Sequence, residues 1–166
     1  MSSPPVIDAL DFARTAGALH GKIAVSALER LQDYLIENNG ELRYEVVGAL
    51  NSDGKPILRI SAEGLIKLRC QRCLGELVHV LDLRTDLLLV QTEKELSSLD
   101  EDESVDCILT EPNLDVLALV EDEVILSLPI SPRHDEGECS IEHRLSIDTA
   151  EQKSLFAALT AFKKLH

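Results

Sequence analysis

The 166-residue chain has no Trp, three Phe, two Tyr and one Met. So few rings exclude an aromatic base-stacking platform of the kind that single-stranded nucleic acid binders use. Basic residues are also scarce, with 16 Lys and Arg against 30 Asp and Glu and a net charge of −14. That balance speaks against nonspecific duplex binding, which depends on cations that neutralise phosphates. Long apolar runs are missing: LLLV (Leu87 to Val90) is far short of the roughly 18 residues of a membrane span. The opening MSSPPVIDALDFARTAG lacks the basic stretch and apolar segment of a signal peptide. A cytoplasmic protein without membrane association is the expectation, and its four cysteines are then expected to be reduced. A Gly-rich phosphate loop, a serine nucleophile elbow and an internal repeat are all missing, so the sequence gives no sign of an enzyme.

What is present is an aliphatic core pattern. Ser26 followed by Glu29 reads as a capping box, and Leu28, Leu31 and Leu35 follow at helical spacing, which predicts a helix over 27–38 ended by Asn39-Gly40. The next fifty residues read as strands. Asn51-Ser-Asp-Gly54 is a hairpin turn signal. Beyond it, Leu58, Ile60 and Ala62, then Ile66, Leu68 and Cys70, alternate with Arg59, Ser61, Lys67 and Arg69, the pattern of a sheet with one polar face. Residues 93–106, with seven acids and one Lys, are expected to form a mobile surface loop. Asp115 caps a second helix over 116–127, which Pro129 stops. The tail, 151–164, carries a helical stripe of Leu155, Ala158, Leu159 and Phe162 ending in Lys163-Lys164; left exposed, that stripe would support a homodimer or a partner contact. The expected fold is α+β: a twisted antiparallel sheet or partly closed barrel of about five to seven strands, packed by two helices. Residues 1–149 would form one domain, with 150–166 as a helical tail.

The chemistry concentrates in RCQRCL (residues 69–74). Cys70 and Cys73 have the spacing of a zinc knuckle, and His134 and Cys139 in HDEGEC could supply two further ligands from one short loop. The set of three cysteines and one histidine would be a closed, structural zinc site. Unmetallated thiols that merely pack are the alternative. A thioredoxin-like redox pair fits poorly, because such a pair sits at a helix start and Gly75 follows this one. Two charged groups complete the inventory. Arg59, Lys67, Arg69 and Arg72 could form a local positive patch for RNA backbone, or a solvent face balanced by acids. Glu121, Asp122 and Glu123, with the acids of 93–106, could form a surface for a cationic partner. They occupy consecutive helical positions, point in different directions and have no evident base or nucleophile beside them.

LRCQRCL, then a long strand and acidic segment, then LDVLALVEDEVILSLPISPRHDEGEC and a closing SLFAALTAFKK, together resemble the bacterial YceD family of large ribosomal RNA subunit accumulation proteins. The resemblance implies a noncatalytic role in accumulation or processing of large-subunit ribosomal RNA. It also implies zinc ligands at Cys70, Cys73 and Cys139, with His134 beside them. A charge of −14 sits awkwardly with direct RNA contact. The expected partner is therefore a basic ribosomal protein or assembly factor, with a small zinc-stabilised RNA-binding module as the alternative.

Overall fold

The computed structural model describes residues 5–99 and 106–139. In chain order these form β1 (Val6–Ile7), α1 (Ala9–Arg14), β2 (Ala18–Ala24), two 3-10 turns (Val25–Ala27 and Arg30–Tyr34), β3 (Leu35–Glu37), β4 (Glu41–Leu50), β5 (Pro56–Arg69), β6 (Glu76–Val90), α2 (Glu93–Leu99), β7 (Cys107–Leu109), β8 (Leu114–Asp115) and α3 (Val116–Ser127). The main sheet runs β2-β4-β5-β6-β7, and β3 also pairs with β5. Since β4 covers β5 from Pro56 to Gly64 and β3 meets it at Lys67 and Leu68, the two share one edge of β5 end to end. A separate two-stranded ribbon joins β1 to β8.

The long β5–β6 hairpin is the spine of the molecule, in register from Ile57↔Leu88 to Arg69↔Glu76. Alternation decides its two faces. Leu58, Ile60, Ala62, Ile66 and Leu68 of β5 are buried with Leu42 and Val46 of β4 and Leu81, Leu87 and Leu89 of β6. Arg59 and Glu63 face outward and meet Asp86, Asp82 and Arg43 across the strands. The core lies on the other face, under α1 and α3. Val116, Val120 and Val124 of α3 are fully buried, as are Ala9 and Ala13 of α1, within 1%. Asp8 caps α1 by accepting the Asp11 N–H at 2.9 Å, and Asp115 caps α3 by accepting from Leu117 and Ala118. Gly48 is what lets α1 approach β4: a Cβ there would lie 2.2 Å from the Phe12 carbonyl oxygen. At the hairpin between β4 and β5, Gly54 takes φ +73° while the Asn51 side chain accepts from the Asp53 and Lys55 N–H groups, the turn expected from the sequence.

Three expectations are corrected. Of the two forms expected, sheet or partly closed barrel, the sheet is the one that forms, and it is not wholly antiparallel, because β6 and β7 pair in parallel. The helix over 27–38 does not form. Leu28 is extended (φ −90°, ψ 91°), Ser26 makes no capping bond, and the segment is two 3-10 turns followed by β3. Tertiary burial wins here over local propensity: Leu28 and Leu31 both reach the core, and Leu35 pairs with Leu68. Finally, the acidic segment is not simply a loop, for Glu93–Leu99 is helical, held by Leu96 packing on the cluster of Ile57, Leu88 and Val90. The rest of that segment, residues 100–105, lies outside the described residues, as does the tail helix expected over 151–164.

Candidate metal centre

The turn between β5 and β6 is tight and internally bonded. Cys70 N–H donates to the Gly75 carbonyl at 3.0 Å, and Leu74 N–H donates to the Cys70 carbonyl at 2.9 Å. Leu74 closes it at φ +64°, in the left-handed region that Leu rarely adopts. The alternation of β5 that buries Leu68 also buries Cys70, at 0% exposure, and the turn buries Cys73 at 8%.

After α3 the chain runs back onto this turn. Gln71 N–H donates to the Pro132 carbonyl at 2.8 Å. Arg72 reaches across the loop, where its Nη2 donates to the carbonyls of His134 (2.8 Å) and Asp135 (3.0 Å) and its Nε lies 3.0 Å from Cys139 Sγ. The result brings all four sequence candidates together. The donor atoms of Cys70, Cys73, His134 and Cys139 all lie within 4.8 Å of one another. Cys70 Sγ is 3.9 Å from Cys139 Sγ, and His134 Nδ1 is 3.5 Å from Cys73 Sγ and 3.8 Å from Cys139 Sγ. Zinc bonds of about 2.3 Å to sulfur and about 2.0 Å to nitrogen imply donor separations of roughly 3.4–3.8 Å in a tetrahedron. These three separations, 3.5 to 3.9 Å, lie close to that figure, and the other donor pairs stay within 4.8 Å.

The surroundings suit a metal as well. His134 Nε2 lies 2.8 Å from the Glu76 carbonyl, which can only accept, so Nε2 carries the hydrogen and Nδ1 presents its lone pair to the sulfurs. Burial pushes the Cys70 thiol up, yet hydrogen bonds from Cys73, His134 and Arg72 outweigh it and bring the group down to about 5, so a thiolate is available at neutral pH. The Gly75 N–H favours a Cys73 thiolate, but burial and the neighbouring sulfurs of Cys70 and Cys139 prevail and raise it. Metal binding requires the thiols to be deprotonated, and a divalent cation would offset the repulsion between neighbouring sulfurs. The Cys139 sulfur raises the Arg72 guanidinium and supplies the main upward push on His134. Four protein donors leave no open position, which is the arrangement of a structural site that ties the post-helix loop to the hairpin.

The remaining candidates are distributed differently from the simplest sequence picture. Arg59 makes a two-pronged pair with Asp86 at 2.8 and 2.9 Å. Lys67 bridges Glu37 at 2.8 Å and Glu76 at 3.1 Å. Arg72 is committed to the loop. Arg69 has no ion pair among the described residues, and the contacts of Arg72 are to two carbonyls and a sulfur. The outer sheet face is therefore a charge-balanced lattice. Of the acids on α3, Glu121 is 7% exposed and is taken up internally. Its Oε1 accepts the N–H groups of Arg30 (2.7 Å) and Leu31 (3.1 Å), and its Oε2 accepts from Arg30 Nε at 3.0 Å. Glu121 is thus not part of an exposed acidic surface; it fixes the 3-10 turn to α3. Asp122 is half exposed and also pairs with Arg30. Glu123 is 9% exposed and has no bonded partner among the described residues.

Sequence reasoning missed Arg72 as a clamp, the Glu76 carbonyl as the histidine's anchor, and Arg30 as the partner of Glu121. Arg72 had a signal, since it sits inside the cysteine motif. The other two had none, because they are long-range contacts.

No helix among the described residues is long and apolar enough to cross a membrane. No solved structure matches the chain. A family model does, over residues 58–163, a span that holds all four donor residues, the β5–β6 hairpin from Leu58 on, and α3. Covering well over half of the sequence, that match establishes that the chain belongs to the family of the large ribosomal RNA subunit accumulation protein YceD.

Proposed function

We propose that this protein is a noncatalytic, cytoplasmic ribosome-assembly factor that supports accumulation of large-subunit ribosomal RNA by holding a basic ribosomal protein or assembly factor. Family membership carries the link to large-subunit RNA. The charge of −14 favours a cationic protein over RNA as the direct partner. Zinc at Cys70, Cys73, His134 and Cys139 would serve to hold the scaffold. The alternative, direct RNA contact through Arg59, Lys67, Arg69 and Arg72, is the weaker reading, since three of those four side chains already have partners. Affinity purification of the protein at moderate salt, with large-subunit RNA levels in cells lacking it, tests the proposal. Co-purified basic ribosomal or assembly proteins and a fall in that RNA are expected. Unchanged RNA levels would remove the assembly role.

A further inference from the structure

Two glutamates on α3, two residues apart, have opposite circumstances. Glu121 accepts three hydrogen bonds. Glu123 is nearly as buried, at 9% exposure, and accepts none from the described residues. Among the described residues no fully enclosed side-chain oxygen or nitrogen lacks a partner. The Glu123 carboxylate therefore keeps an opening, and that opening is a groove between α3 and the edge of the sheet. Glu123, Asp106, Leu83, Leu87, Ile108 and Leu126 line it.

The groove exists because β7 is short. It pairs with β6 only at Leu88, Leu89 and Val90. Below that point, the edge of β6 from Leu83 to Leu87 has no neighbouring strand among the described residues. Leu126, 77% exposed, overhangs the same side. An unpaired edge with a charge set behind it is a place where an extended segment of another chain can lie.

The chemistry of the occupant follows from the walls. Burial raises the Glu123 carboxyl, and the negative charges of Asp106 and Asp122 push it the same way. Arg84, the cation at the rim, is 3.5 Å from Asp82 and is not directed to Glu123. A metal ion is disfavoured, because the four-residue cysteine and histidine cluster is the one group of close donors among the described residues. What fits is a cation on an apolar stem: aliphatic walls for the methylenes and a carboxylate at the base for the charge.

We infer that this groove is the seat of a lysine or arginine side chain from a cationic protein, laid along the edge of β6 from Leu83 to Leu87 with its charge on Glu123 and Asp106 at the mouth. The inference deepens the assembly-factor proposal and rests on it for the partner's class. It also leaves a part of the acidic α3 patch at work, with Glu123 as its buried contact.

The test uses the full chain and three fluorescein-labelled octapeptides: alternating Lys-Ser, alternating Arg-Ser, and Lys-Ser with every lysine Nε-acetylated. Anisotropy is read for wild type, Glu123→Gln and Glu45→Gln. Glu45 is an exposed acid on β4, outside the groove and outside the acidic segment of 93–106, so its variant changes net charge equally. Glu123→Gln is expected to weaken the better cationic peptide about tenfold, Glu45→Gln less than about twofold, and the acetylated peptide is expected not to bind. Amide shifts on titration should centre on Leu83 to Leu87. Equal losses in the two variants, binding of the acetylated peptide, or no binding by wild type would each overturn the inference. A thermal melt of Glu123→Gln controls for misfolding. Normal large-subunit RNA in cells lacking the protein would instead sink the assembly reading and leave the groove result standing.

Discussion

The β5–β6 hairpin carries both sites, and they differ in how their polar groups are met. At the turn, nearly every donor and acceptor is answered: Gly75, Pro132, His134, Asp135 and Glu76 carbonyls are all used, and four metal-binding side chains converge. Along the Leu83–Leu87 edge, neither the strand nor the buried Glu123 carboxylate has a partner among the described residues. A saturated site holds structure. An unsaturated one is costly to a monomer unless something outside completes it, because a buried charge without a partner is destabilising. The two glutamates of α3 repeat this contrast on one helix.

The contrast can be broken most forcefully at the turn. Cys70→Ser removes a buried donor, and it is expected to abolish zinc uptake and free the loop of residues 132–139. Elemental analysis of chelator-free protein and amide exchange of that loop check this. Zinc retention in the variant would show that the cluster is not the metal site. Because the ligands must be deprotonated, metal affinity should also fall steadily on acidification.

Next comes Glu121→Ala, which strands the N–H groups of Arg30 and Leu31. A loss of about 2–4 kcal/mol is expected, read by denaturant unfolding. A loss within about 0.5 kcal/mol, the scale of an ordinary surface change, would refute the bridging role.

Glu123→Gln should move stability the other way. The folded-state carboxyl is raised above its ordinary 4.5 by burial, Asp106 and Asp122. Folding then holds the proton more tightly than the unfolded chain does, so this group's contribution declines as pH rises from about 4.5 upward. The variant lacks that decline. Its advantage over wild type should be near zero in acid and grow towards neutral pH, measured as Tm against pH. An advantage that shrinks with rising pH would contradict the assignment.

Leu74→Gly is the smallest change. It relieves a left-handed leucine while loosening the unfolded chain, and the net gain should not exceed about 1 kcal/mol. A clear loss would mean that the half-exposed Leu74 side chain has a packing role.

The sequence marked much of this fold where the signal was local. The alternation of β5 showed which side chains face the core, Asn51 to Gly54 gave the hairpin, and Asp115 gave the start of α3. The capping box at Ser26 misled for the opposite reason. Local preference amounts to a few tenths of a kcal/mol per residue, and burying Leu28 and Leu31 outweighs it. The metal ligands were legible as two spaced pairs, though spacing could not say that the pairs meet.

By itself, the order of residues determined the strands β4 to β6, the turn chemistry, the excess of negative charge and the four candidate donors. Those are properties of neighbours along the chain. Only the tertiary structure decided that the sulfurs of Cys70 and Cys139, 69 positions apart, lie 3.9 Å from each other, that Arg30 answers Glu121, and that Glu123 finds no partner among the described residues. Contacts of that range depend on how sheet and helices close on the core, and no local pattern encodes them.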